Sequence, residues 1–178
     1  MLQAISSMGV YSFPIANYRK LESESAIVAG FVDRINALGR LAHPSPVIQA
    51  RIFDEVRRIA RRMDMSREKG SSAEFVRRVL YEDTRWSLAA IILRPGQDIY
   101  AHDHGGWGCA VTVHGIERDR RFRHNEQGKL MLVSERDYSA GMGYMFDPED
   151  IHQPVGAHPH RATVALHFLV LEGQKHKD

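Results

Sequence analysis

The chain has 178 residues, 43% of them hydrophobic and 26% charged, with 24 Lys+Arg against 22 Asp+Glu. That size and balance fit one soluble globular domain with a sizeable core, and a formal net charge of +2 is no footprint of a nucleic-acid-binding field. The single cysteine, Cys109, excludes an internal disulfide framework and fits a reducing compartment, whereas ten histidines direct attention to metal ligation and proton transfer.

Met1 to Lys20 lacks a basic start followed by an apolar core, so no secretory signal is expected there. Nor is any segment apolar enough to span a bilayer; a cytoplasmic location is the expectation. Leu21, Ile27, Phe31, Ile35 and Leu38 fall largely on one face and predict a first helix, with Gly39 as its stop. Ser45 as N-cap and Pro46 at the first helical position open a second. Its apolar stripe is Ile48, Ile52, Val56, Ile59 and Met63. Arg57, Arg58, Arg61 and Arg62 lie outside the stripe, interleaved with Asp54, Glu55, Asp64 and Glu68, which predicts a solvated face rather than an anion-binding surface. Lys69 to Ser72 forms a loop, and Ser72 is expected to cap a short helical turn from Ala73 to Arg78.

From about residue 85 the texture is β. Trp86 to Leu93 is an apolar run stopped by Pro95-Gly96, and Trp107 to His114 is β-rich and ends at Gly115. Ile116 to Arg123 and Lys129 to Tyr138 flank the hairpin turn Asn125-Glu126-Gln127-Gly128. Gly143 to Phe146 and Thr163 to Leu171 supply further strands, separated by a loop holding Pro154, Gly156 and Pro159. Short strands with turn signals between them predict a sandwich or barrel. The whole reads as a single domain, helical over about 20–80 and a β-barrel over about 85–172, with the helices on one outer face.

His102-Asp103-His104 is the sharpest feature. In a strand both imidazoles would point the same way while Asp103 points away. His152 follows in Asp150-Ile151-His152, at the entry to another strand, and three imidazoles from two strands could give a facial set with open positions opposite. The frame around them, Gly96-x5-His102-x-His104, then Gly115, then Pro148-x-Asp150-x-His152, resembles the two-motif pattern of the cupins, whose double-stranded β-helix is a jelly-roll barrel. The register at which a typical cupin carries a metal-binding glutamate falls at Gly108, which leaves His102, His104 and His152 without a carboxylate. In this the chain resembles the thiol dioxygenases, cysteine dioxygenase and 3-mercaptopropionate dioxygenase, over roughly residues 75–171. The most specific stretch is His102-Asp-His-Gly-Gly-Trp-Gly-Cys-Ala-Val-Thr-Val-His-Gly115, with Asp150-Ile-His-Gln153 and Ala165-Leu-His-Phe168 behind it.

The resemblance implies Fe(2+) at the three histidines; imidazole itself would suit nickel, zinc or copper too. It implies a small thiol carboxylate and O2 as partners, and Arg77, in Phe75-Val76-Arg77, as the anchor of the substrate carboxylate. It implies that His167 stands behind the metal on the last strand. The family's serine and tyrosine partners of that histidine are Ala165 and Leu169 here, and Tyr100 or Tyr144 would have to stand in for the tyrosine. Ala165, His167 and Leu169 alternate onto one face, expected to be inward. Cys109 is expected on the opposite face of its strand as an inert core thiol. His158-Pro159-His160 reads as an exposed loop, His114 and His124 stand on strands away from the frame, and His43 and His176 read as surface residues. Thiol dioxygenation is the leading function; another cupin dioxygenase, such as one cleaving a β-diketone, and a non-catalytic metal- or ligand-binding cupin are the alternatives. No nucleic-acid or membrane partner is expected, and the chain is expected to be a monomer or homodimer.

Overall fold

The protein is described by a computed structural model that defines the backbone of residues 18–171, with side chains from residue 24 onward; Leu21 and His176 of the sequence reading lie outside the described side chains. Among the described residues two helices come first, α1 (Tyr18–Asn36) and α2 (Pro46–Ala60). They form where the apolar stripes require: Ile27, Val28, Phe31 and Ile35 of α1 and Ile52, Val56 and Ile59 of α2 are buried. After α1 the chain turns at Gly39, whose φ of +83° is the left-handed conformation that glycine adopts without strain. Ser45 has the extended backbone of an N-cap but its side chain makes no capping bond, so Pro46 carries the start of α2. The arginine face of α2 is solvated as expected, with Arg58 hydrogen-bonding Glu55 along the helix.

Eight strands follow: β1 (Val76–Glu82), β2 (Trp86–Leu93), β3 (Gly108–His114), β4 (Ile116–His124), β5 (Leu130–Ser139), β6 (Gly143–Phe146), β7 (Ile151–Gly156) and β8 (Thr163–Val170). They form a five-stranded sheet in the order β1-β2-β8-β3-β6 and a three-stranded sheet in the order β5-β4-β7, with antiparallel pairing throughout. The chain is thus mainly β, a double-stranded β-helix with an N-terminal pair of helices.

Two local expectations fail. The helical turn over 73–78 does not form; that segment leads into β1, where Val76, Leu80 and Tyr81 pack on the helix-side core and Val76 to Glu82 pair with β2. A single capping signal is worth little against a full ladder of hydrogen bonds and a buried face. The loop expected around Pro154 and Gly156 is strand β7. Pro154 lies opposite Asp119 of β4, and its carbonyl accepts from the Ile99 N–H at 3.0 Å. Gly156 permits a close approach, since a Cβ there would stand 2.4 Å from the Arg94 carbonyl.

The five-stranded sheet has two faces with different partners. Trp86, Leu88, Ala90, Ile92, Cys109, Val111, Val164, Leu166 and Phe168 form one core with both helices, where Phe31 meets Trp86 edge-on at 5.7 Å and Trp86 stacks on Phe168 at 5.3 Å. The helices therefore brace the outside of this sheet. The alternate residues, among them Ala89, Ala110, Thr112, Ala165, His167 and Leu169, face the barrel interior. In β4 the pattern is unusual: Glu117 and Asp119 are buried, while Arg118 and Arg120 point outward to Asp137 and Glu135 of β5.

Candidate metal centre

His102 and His152 form an isolated antiparallel bridge, with the His102 N–H donating to the His152 carbonyl at 3.0 Å and the reverse bond at 2.9 Å. Directly opposed residues of an antiparallel pair project to one side, so this bridge brings two imidazoles together. His104 is not on a regular strand, contrary to the alternation expected for the His-x-His pair. The chain turns directly after it at Gly105, at φ +64°, where the N–H donates to the Pro148 carbonyl at 3.2 Å. The turn still delivers the third ring: centroids are 4.6 Å apart for His102–His104, 5.0 Å for His102–His152 and 5.1 Å for His104–His152.

One ring nitrogen from each histidine lies within 4.8 Å of the others, and Nε2 of His104 stands 2.9 Å from Nε2 of His152. Two imidazole nitrogens bonded at a right angle to one divalent ion, each at about 2.0–2.1 Å, stand about 2.8–3.0 Å apart. The donor set therefore fits a divalent metal.

The surroundings prepare these rings as ligands. Nδ1–H of His152 donates to Oδ1 of Asp119 at 2.8 Å, and Nδ1–H of His102 donates to the Tyr100 carbonyl at 2.8 Å. Each bond selects the tautomer whose Nε2 lone pair is free to bind a metal. Burial pushes His102 down to about 4, assisted by the neighbouring His152 and His167, and burial likewise holds His104 well below its ordinary value. Both rings are consequently neutral at pH 7, the state a ligand needs. Burial alone would raise the Asp119 carboxyl, but its bonds to His152 and Arg121 outweigh that and hold it low. Arg121 in turn bonds Asp119, Asp150 at 2.7 Å and the Met145 carbonyl at 3.0 Å, and lies over the Tyr144 ring.

Phe146 fills the space between Gly108 and the imidazoles. Its ring stacks on His104 at 4.6 Å and lies against His152 at 5.0 Å, and a Cβ at Gly108 would come within 2.3 Å of it. The place from which a glutamate at position 108 would reach inward is filled by that ring.

His167 faces the interior, 9% exposed, as alternation predicts. Neither expected partner is present, but Nε2 lies 3.3 Å from Oε2 of Glu117, whose Oε1 accepts from the Tyr144 hydroxyl at 2.8 Å. Leu169 adds to an apolar wall with Ala110, Tyr138, Tyr144 and Phe146. Tyr100 is half-exposed, with its ring 5.8 Å from His102. Arg77 lies on β1, exposed, with its guanidinium 2.8 Å from Glu82. In register with it is Ile91, which packs with Leu93 and Ile99. Cys109 is buried on the helix side of β3, and burial pushes its thiol far up. His158 uses Nδ1 to accept from the backbone N–H groups of His160 and Arg161, organising its own loop.

Sequence reasoning missed Glu117, Asp119 and Arg121. Their signal is the period-two spacing of Glu117-x-Asp119-x-Arg121, but Arg118-x-Arg120 has the same period and equal polarity. Only the packing tells which set faces inward.

No protein-family model matches the chain, and no curated protein matches it. Among solved structures it is similar to a double-stranded β-helix domain protein from Klebsiella pneumoniae, 18% identical, with a TM-score of 0.44 over 60% of this chain and 85% of that one. It is also similar to TT1209 from Thermus thermophilus (16% identical, TM-score 0.46, covering 60% and 93%). A cupin superfamily protein from Desulfitobacterium hafniense is 10% identical, with a TM-score of 0.47 over 59% and 84%. These likenesses assign no activity.

Proposed function

We propose that the protein is a non-haem iron thiol dioxygenase that oxidises a small thiol carboxylate to its sulfinate with O2. The observation that carries this reading is a cluster of three imidazoles, His102, His104 and His152, in a barrel whose usual carboxylate position is closed by Phe146 on Gly108. Three neutral ligands leave a bound ferrous ion its full +2 charge, which favours an anionic thiolate and lowers its pKa, and supplies the one-electron chemistry that O2 requires.

The chain's own residues do the rest. Asp119 and the Tyr100 carbonyl hold the His152 and His102 rings with Nε2 inward. Phe146 presses on two of the three rings and keeps water from their faces. Arg77 anchors the substrate carboxylate by exchanging its exposed partner Glu82 for it; in support, it shares a face with Ile91 of the interior cluster, and an exposed ion pair costs little to break. The reaction needs small partners only, a thiol and O2. We place it in the reducing cytoplasm, with the chain acting as a monomer or homodimer; among the described residues no helix is long and apolar enough to cross a membrane.

The test is O2 uptake by anaerobically iron-loaded protein offered cysteine, 3-mercaptopropionate and related thiols in turn. The expected result is O2 consumption matched by loss of one thiol per O2. Iron bound at one per chain with no uptake for any thiol would overturn the reading and favour another cupin reaction or a ligand-binding role. Alanine at His102, His104 or His152 should abolish stoichiometric iron; retention in all three variants would reject the ligand set.

A further inference from the structure

A buried carboxylate, an imidazole and a phenol share one network inside the barrel that metal ligation does not use. Glu117 is 1% exposed, His167 9% and Tyr144 6%. Tyr144 donates to one oxygen of Glu117 at 2.8 Å, and the other oxygen stands 3.3 Å from Nε2 of His167. Tyr144 stays a neutral donor, because burial and then the charge of Glu117 raise its hydroxyl well above the ordinary value. A carboxylate fully removed from water is costly unless something needs its charge. The phenol gives it a hydrogen bond but no opposite charge, and the imidazole supplies one only when it takes up a proton.

We propose that Glu117 and His167 form the proton acceptor for the incoming thiol, a step that rests on the thiol reading above. In the resting state Nε2 of His167 carries its hydrogen toward Glu117, and Nδ1, which bonds to no described residue, offers its lone pair. When the substrate binds as thiolate, the S–H bond breaks and its electron pair stays on sulfur. The proton forms an N–H bond at Nδ1, and the resulting imidazolium faces Glu117 through Nε2–H. Nothing is oxidised or reduced in this step. The buried carboxylate then has its counter-charge, and the proton is kept inside the protein instead of passing to solvent.

The other groups that bear on His167 fit this role. Its in-register neighbours, Ala89 and Ala110, are apolar. From outside its sheet come Glu117 of β4, the Tyr144 that fixes it, and the electrostatic influence of His102 and His104. The more distant pair of opposite charges, Asp119 and Arg121, is already mutually satisfied. Glu117 is thus the nearby anion available to an imidazolium at 167.

The experiment counts protons when 3-mercaptopropionate binds to the iron-loaded protein under strict exclusion of O2. Binding heats are compared at pH 7 in buffers of different ionisation enthalpy, with iron content measured for each sample. Wild-type protein should release close to no proton, whereas Glu117→Gln and His167→Gln should each release about one per thiol bound, since thiolate binding to a metal otherwise sheds its proton. Glu117→Gln preserves shape, and His167→Gln supplies an independent variant if the first folds poorly. Equal proton release by wild type and both variants, with binding intact, would overturn this inference alone. No binding of the thiol to wild-type protein carrying one iron per chain would overturn the thiol reading and this step with it.

Discussion

Removing the Asp119 carboxylate should weaken divalent-metal binding while leaving all three ligands in place. Asp119 is 3% exposed and holds Nδ1–H of His152 at 2.8 Å. Without it, the two neutral tautomers of His152 become comparable, and the one with hydrogen on Nε2 cannot bind an ion. Tautomer choice alone is a small factor. The larger losses are the freed ring torsion and the lost polarisation of the imidazole by an adjacent negative charge. Partners of this kind are typically worth 10–100-fold in metal affinity, which corresponds to about 1.4–2.7 kcal/mol. Asp119→Ala should show the full effect, and Asp119→Asn, which keeps an acceptor without the charge, a smaller one. The assay is competition for Zn(2+) or Co(2+) against a chromophoric chelator at pH 7.5, scaled to the folded fraction from circular dichroism. Scaling matters because Arg121 loses one of its two carboxylates. A folded Asp119→Ala variant with wild-type affinity would refute the claim that Asp119 tunes His152.

Other consequences can be checked separately. Gly108→Ala should cost about 1–3 kcal/mol in urea unfolding, because the new methyl overlaps the Phe146 ring and the Phe168 carbonyl; unchanged stability would mean that the ring is not seated on Gly108. In metal-free protein, His102 and His104 have folded-state pKa values below their unfolded ones, His102 at about 4 against 6.5. Their neutral forms therefore contribute stability that is fully present above about pH 6.5 and is lost as pH falls toward about 4. The urea midpoint should drop across that window, and His102→Gln should flatten the drop; an unaltered profile in the variant would contradict the assigned burial effect. Arg77→Ala should raise KM for a thiol carboxylate while leaving KM for an uncharged thiol unchanged. Its stability should stay within about 0.5 kcal/mol of wild type, since only an exposed ion pair is lost. An equal effect on both thiols would remove Arg77 from carboxylate recognition.

Most of the barrel was legible because its strands carry strong local punctuation. Trp86 to Leu93 is bounded by Pro95-Gly96 and matches β2 end to end, and Asn125 closes the β4–β5 hairpin by accepting from the Gln127 and Lys129 N–H groups. The three histidines were legible through their spacing, although the local picture behind it was not: a bridge at His102 and a turn at Gly105 replace the expected strand. What failed depended on distant chain. β1 exists because β2 offers a partner edge, and β7 tolerates Pro154 because of where its ladder bonds fall. Glu117 and Asp119 were illegible for a deeper reason. Every residue from Glu117 to Arg121 is charged, so polarity carries no information about which side of β4 is inside.

The position of Cys109 has a practical meaning if the proposed thiol chemistry is carried out beside it. The chain's only sulfhydryl lies on the helix side of the five-stranded sheet, fully buried beside Phe168, while the clustered imidazoles, packed on Phe146, lie on the other side. The sheet is a partition between the imidazole cluster and the protein's own sulfur. The same partition makes Cys109 a built-in gauge: a bulky thiol reagent reaches it only when the sheet and its helices separate. Its rate of modification therefore measures how often the barrel opens, and a metal that staples His102 to His152 should slow that rate by a factor of one plus the ratio of free metal concentration to Kd.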